Sequence, residues 1–124
     1  MKRRDWLFWI LVLIAAITVF SGVVQLISPQ FILHLTGGAT DATGRHFFRL
    51  VGMFMFLFGG LLLQALFSDR DEPLAVFWCM WQKFGASAGV VAGILQGFFG
   101  PAAWIVAAFD FITAVLLLIY WRRR

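Results

Sequence analysis

The chain predicts an all-α fold: an integral membrane four-helix bundle forming a single domain over residues 1–124, with both ends on the cytoplasmic side. Three observations predict it. Of the 124 residues, 62% are hydrophobic and only 13% charged, with a mean hydropathy of +0.91. A chain this short cannot hide that much apolar surface in a water-soluble core, so lipid is expected to be its solvent. The apolar residues also gather into four runs, at 6–27, 43–67, 74–98 and 102–121. Each is close to the roughly 20 residues that cross about 30 Å of hydrocarbon. Finally, most of the Lys and Arg residues lie in Lys2-Arg3-Arg4 and Arg122-Arg123-Arg124. Basic clusters beside apolar helices fix orientation by the positive-inside rule, and two of them on one face require an even number of spans. The ten basic against six acidic residues are therefore read as topology signals and not as a nucleic-acid surface. The expected location is a multi-pass position in the bacterial cytoplasmic (inner) membrane, in contact with lipid.

The first run opens after the basic cluster. Val19-Phe20-Ser21 faintly resembles a signal cleavage site, but the apolar stretch continues to Ile27, beyond a typical signal core, so an uncleaved helix is expected. Ser28-Pro29 ends it. Residues 29–35, PQFILHL, are too apolar for a free loop and too short to span, which places them in the membrane interface until Gly37-Gly38 breaks the segment. Asp41 is the expected N-cap of the second span. Ser68 to Pro73 forms an acidic cytoplasmic turn with Pro73 opening the third span, and Gly100-Pro101 makes the short turn before the fourth. Trp6, Trp9 and Trp121 sit near span ends, where indole rings anchor at the interface.

Against this apolar background stand three charges: Arg49, Lys83 and Asp110. An ionised group in hydrocarbon is costly, so such residues face the bundle interior and find partners. Helix rise places Lys83 about 14 Å deep from the cytoplasmic side, and Asp110 about 12 Å and Arg49 about 9 Å from the other. All three can share one layer in the outer half of the bundle, where mutual contact is geometrically possible. Asp110 shares a stripe with Ala103, Ala107, Thr113 and Ala114. Gly52, Gly59 and Gly60 accompany Arg49, and Gly85, Ser87, Gly89 and Gly93 follow Lys83. Small and hydroxylated residues suit close helix packing in lipid, so Gly52, Gly59, Gly85 and Thr113 are assigned to packing surfaces. Two readings of the trio stay open. In one, Asp110 neutralises a cation and locks helix register. In the other, two cations and one anion leave net positive charge in an apolar pocket, suited to a carboxylate, a phenolate, a quinone carbonyl or a lipid headgroup. Gln64 and Gln96 could extend a polar track, although helix-packing hydrogen bonds are the plainer role for both.

Other chemistry has little to work with. Cys79 is the single cysteine, so an intramolecular disulfide, a redox pair and a multi-thiolate metal site are excluded. His34 and His46 lack carboxylate partners at ligand spacing, and no metal site is expected. Asp110 is the only membrane-embedded carboxylate able to act as acid or base, and two neighbouring cations would make it a poor acid. No autonomous catalytic motif is present.

The order of these features resembles the DoxX-like superfamily and its small four-helix relatives. The resemblance runs through a Pro after the first span, Arg49-x-x-Gly52 opening the second with Gly59 seven residues on, an acidic turn with Arg70, Trp81-x-Lys83 in the third, and Pro101 followed by Asp110 in the fourth. It covers nearly the whole chain, through short motifs. It implies a four-helix membrane bundle of the kind sometimes associated with oxidoreductase or quinone-linked complexes, which admits quinone as a cofactor without fixing one. The function expected is an accessory or binding subunit whose buried cluster accommodates a quinone-like or anionic lipid-like molecule, beside a membrane protein partner or in a homo-oligomer. The alternatives are an oligomeric small-solute or proton-coupled transporter and a purely structural bundle. Small multidrug exporters need an acidic residue in the first span, and vitamin K epoxide reductase-like enzymes need paired cysteines; this chain has neither.

Overall fold

The computed structural model describes residues 4–123 and is all-α; Lys2, Arg3 and Arg124 of the two basic clusters lie outside the described residues. Five helices follow one another: α1 (Trp6–Ile27), α2 (Pro29–Thr36), α3 (Ala42–Phe67), α4 (Pro73–Leu95) and α5 (Ala103–Arg122). Three of them, α1, α3 and α5, are long and apolar enough to cross a membrane. α4 matches them in length, but the polar Gln82 and Lys83 dilute its middle.

Each boundary has a local cause. Asp5 caps α1, its Oδ1 accepting the Phe8 amide at 3.2 Å. The segment expected to lie in the interface is the short helix α2. Pro29 opens it with a preset φ and no amide to satisfy, and Gly37 closes it in the left-handed conformation at φ 73°. The Gly37 and Gly38 amides donate back to the His34 and Leu33 carbonyls, the double closure that only a residue at ease with positive φ permits. Asp41 caps α3 through the Gly44 amide at 2.8 Å. Asp41→Ala should remove that bond and lower stability by about 1 kcal/mol or less, read as a small downward shift in the detergent unfolding midpoint with helix content unchanged.

α4 starts at Pro73 as the sequence suggests, but ends at Leu95, short of the expected residue 98. Gly97 takes φ 82° and sends its own amide to Ile94 and that of Phe98 to the Gly93 carbonyl, so the chain turns before Phe98. The loop then returns to the end of α2, where the Gly100 amide donates to the Thr36 carbonyl at 2.7 Å. A Cβ on Gly37 would lie 2.8 Å from the Gly100 nitrogen, and one on Gly93 would lie 2.7 Å from the Phe99 ring. Bare backbone at Gly37 is thus required by both its dihedral angle and its neighbour.

The long helices pack as two antiparallel hairpins. α1 lies against α3 along most of its length, and α4 lies against α5. Glycines set the first contact. A Cβ on Gly22 would come within 2.6 Å of the Gly52 carbonyl, one on Gly52 within 2.8 Å of the Leu26 nitrogen, and one on Gly59 within 3.0 Å of the Val19 nitrogen. Backbone therefore meets backbone, as in close helix pairs in lipid. Gly85 is different: a Cβ there meets nothing within 4 Å, and the same holds for Gly60 and Gly89. The packing expected of Gly85 falls to Ser87 and Gly93 on the same helix, because Gly85 turns away from α5. The core between the hairpins is built on Leu7, Phe8, Leu11, Leu62, Leu66 and Leu117. At its terminal end Arg123 pairs with Oδ2 of the capping residue Asp5, bringing the first and last described turns together. Many large apolar side chains point outward, among them Leu13, Phe20, Leu57, Ile105 and Ile112. Patches of that kind on a small protein mark a surface that meets something other than water.

Candidate functional site

Most polar residues of the interior collect between α1, α4 and α5, with Gln25 apart from them against α3. Lys83 is 5% exposed and Asp110 8% exposed, and the Lys83 ammonium donates to Asp110 Oδ1 at 3.1 Å. It donates as well to Thr18 Oγ1 at 2.9 Å, while the Thr18 hydroxyl donates to the Ile14 carbonyl at 2.9 Å. The Phe109 ring lies 5.2 Å from the same nitrogen and offers its π face to the charge. An ammonium has three donors and no acceptor; here a carboxylate, a hydroxyl and an aromatic face surround it.

Sequence spacing explains how the layer assembles. Asp110 rides the stripe of Ala103, Ala107, Thr113 and Ala114, all buried. Small side chains at one-turn intervals let α5 approach α4 closely enough for a lysine to reach the carboxylate without leaving its own helix face. One turn from Lys83, Ser87 donates to the Ala107 carbonyl at 2.9 Å, a second cross-helix bond in the same seam. Thr113 returns its hydroxyl to the Phe109 carbonyl at 2.8 Å and packs without a polar demand on its neighbours. Cys79, also buried, faces the Phe58 carbonyl on α3 at 3.7 Å.

Arg49 does not join this layer. Among the described residues it forms no ion pair, and its Nε is buried without a hydrogen-bond partner. The physical reason is registry between α1 and α3. Gln25 donates to the Phe48 carbonyl at 2.9 Å, so the start of α3 sits level with Gln25, while Lys83 sits level with Thr18. Seven residues of α1 separate those levels, about 10 Å of helix. Arg49 therefore lies roughly two turns nearer the α2 end than the ion pair. Its companion is Arg45, one turn before it, whose Nε is likewise buried and unpartnered.

Three residues of this arrangement escaped the sequence reading: Thr18, Gln25 and Arg45. Thr18 is one hydroxyl in an apolar helix, and Gln25 one amide near that helix's end; each is a weak signal alone, although the pair lies seven residues apart on a single face. Gln64 and Gln96 are exposed and extend no buried track. His34 and His46 stand apart from the ion pair, and among the described residues no group of three His, Cys, Asp or Glu side chains is placed to hold a metal ion. A surface groove of about 620 Å³ does exist, but at the turn between α3 and α4, lined by Gln64, Phe67, Ser68, Asp69 and Glu72, away from the buried charges.

Electrically, the layer of Thr18, Lys83 and Asp110 is balanced, and the buried side-chain donors without a partner among the described residues lie elsewhere, on Arg45 and Arg49. Comparison of the chain with known protein families, curated proteins and solved structures finds no match.

Proposed function

We propose that this is a four-helix integral membrane protein of DoxX-like type, in which α4 crosses the bilayer beside α1, α3 and α5 and both ends face the cytoplasm. Its length supports the fourth span: 23 residues make about 34 Å of helix. So does charge, because Asp110 neutralises the one lysine that burdens it. In this reading the protein is a non-catalytic binding or accessory component that holds an anionic lipid-like or quinone-like molecule, next to a membrane protein partner or a second copy. It works in the bacterial inner membrane.

The observation that carries the binding role is the unpartnered Nε of Arg49. A guanidinium stays charged at any physiological pH, and a buried donor without an acceptor is costly unless something supplies one. The ion pair itself supports a structural role, since its groups are already satisfied by one another. Native mass spectrometry of protein extracted gently from its own membranes tests the proposal. Wild type is expected to retain a small-molecule adduct that Arg49→Gln loses. Identical, adduct-free spectra from both would leave the protein a structural bundle without a ligand.

A further inference from the structure

We infer that Arg45 and Arg49 together form a binding site for a phosphate-type oxyanion at the end of the bundle remote from the chain termini. The inference rests on the binding role proposed above and names the class of ligand. The two residues are four apart on α3, which places their Cβ atoms about 5–6 Å from each other on one face. Both are half-buried, and both Nε atoms are shut off from solvent with no partner. The Asp41 carboxylate near by on the chain serves as a cap, its Oδ1 occupied by the Gly44 amide. Among the described residues no acid forms an ion pair with either arginine; the pairs are Arg70 with Glu72, Lys83 with Asp110, and Arg123 with Asp5.

The position of the pair follows from its register. Arg45 and Arg49 precede Gly52 by seven and three residues, on the stripe where Gly52 meets Gln25 and Leu26 of α1. They lie next to the corner where α1 passes into α2, in the first two turns of α3, with Arg45 nearer the headgroup level and Arg49 one turn deeper on the proposed membrane orientation. α2 packs against both α1 and α3 there.

Chemistry selects among anions. Each guanidinium presents a planar fork that matches two oxygens. A carboxylate has only two oxygens and satisfies one fork. A quinone carbonyl bears no charge and leaves two like charges uncompensated. A phosphoryl group offers enough oxygens for both forks and the negative charge to offset both cations. The phosphate can belong to a lipid headgroup or be free in solution.

The test uses the full-length protein in non-ionic detergent, titrated in native mass spectrometry with dioleoylphosphatidylglycerol, with dioleoylglycerol as the phosphate-free counterpart, and with inorganic phosphate as competitor. Wild type is expected to bind one phosphatidylglycerol and no dioleoylglycerol. Arg45→Gln and Arg49→Gln should each weaken binding about tenfold or more, the loss expected for a hydrogen bond to a charged group. Arg70→Gln, an exposed arginine at the opposite end, should change nothing. The double variant Arg45→Lys/Arg49→Lys keeps both charges and loses both forks, so it folds on the same terms as wild type and should still bind less tightly. Displacement of the lipid by millimolar phosphate identifies free phosphate as the ligand; resistance to it identifies the headgroup. Equal lipid binding by wild type and all arginine variants overturns the site. A co-purified molecule without phosphorus that Arg49→Gln loses overturns the phosphate assignment and keeps the binding role, whereas no adduct and no lipid selectivity in wild type overturns both.

Discussion

Asp110→Leu on its own will destabilise the protein by about 3–5 kcal/mol, because it leaves the Lys83 ammonium buried without a counter-charge. Lys83→Met on its own will do the same to the carboxylate. The double variant Lys83→Met/Asp110→Leu should recover most of that loss, since two apolar residues of similar size replace a pair whose desolvation already offset much of its attraction. Thr18 then keeps its bond to the Ile14 carbonyl and is not orphaned. Chemical unfolding of the three variants in detergent, followed by circular dichroism, gives the coupling energy directly. A double variant no more stable than the singles would show that the layer does more than cancel its own charge. If the double variant folds and still retains a ligand that Arg49→Gln loses, the ion pair and the binding site are separate devices.

The second large effect is expected at Gly22, where a Cβ would lie 2.5 Å from the Phe56 nitrogen and 2.6 Å from the Gly52 oxygen. Those are backbone atoms and cannot rotate away. Gly22→Val must push α1 and α3 apart, at a cost toward or above the upper end of the about 1–3 kcal/mol typical of overpacking. Gly85→Ala is the matching control, with open space around its Cβ and a helix propensity gain of up to about 1 kcal/mol. Opposite shifts of the unfolding midpoint in the two variants are the expected result. Equal tolerance at both positions would mean that α1 and α3 do not meet as closely as the glycines indicate.

Much of the fold could be read in the sequence because helix ends are local events. Pro29 and Pro73 act through their own rings and Asp41 through a carboxylate that reaches an amide three residues on, and the expected bounds of 6–27, 43–67 and 102–121 lie within one residue of α1, α3 and α5. The miss at the end of α4 has a local cause too: Gly97 stops the helix, and its signal is weaker than that of the Gly100-Pro101 pair downstream. The site was less legible, for a geometric reason. Rise per residue fixes how deep a side chain lies, so the meeting of Lys83 and Asp110 was within reach of the sequence. Azimuth and inter-helix register are set by the neighbours. The Gly22–Gly52 contact decides how far α3 slides along α1, and that slide carries Arg49, together with Arg45 one turn before it on the same helix, away from Lys83. Gly85 failed as a packing residue on the same account, since glycine in a helix marks a close approach only on the face that meets another helix.

Lys83 and Asp110 belong to the same hairpin, 27 residues apart along the chain. Their encounter requires only the closure of one short loop, which is entropically modest and independent of the first hairpin. On the membrane orientation proposed above, α4 and α5 can therefore lie in the bilayer as a pair whose charges cancel within it, with the Thr18 hydroxyl of α1, made earlier in synthesis, as a further partner. The ammonium is thus neutralised inside one hairpin, whether or not the two hairpins have docked.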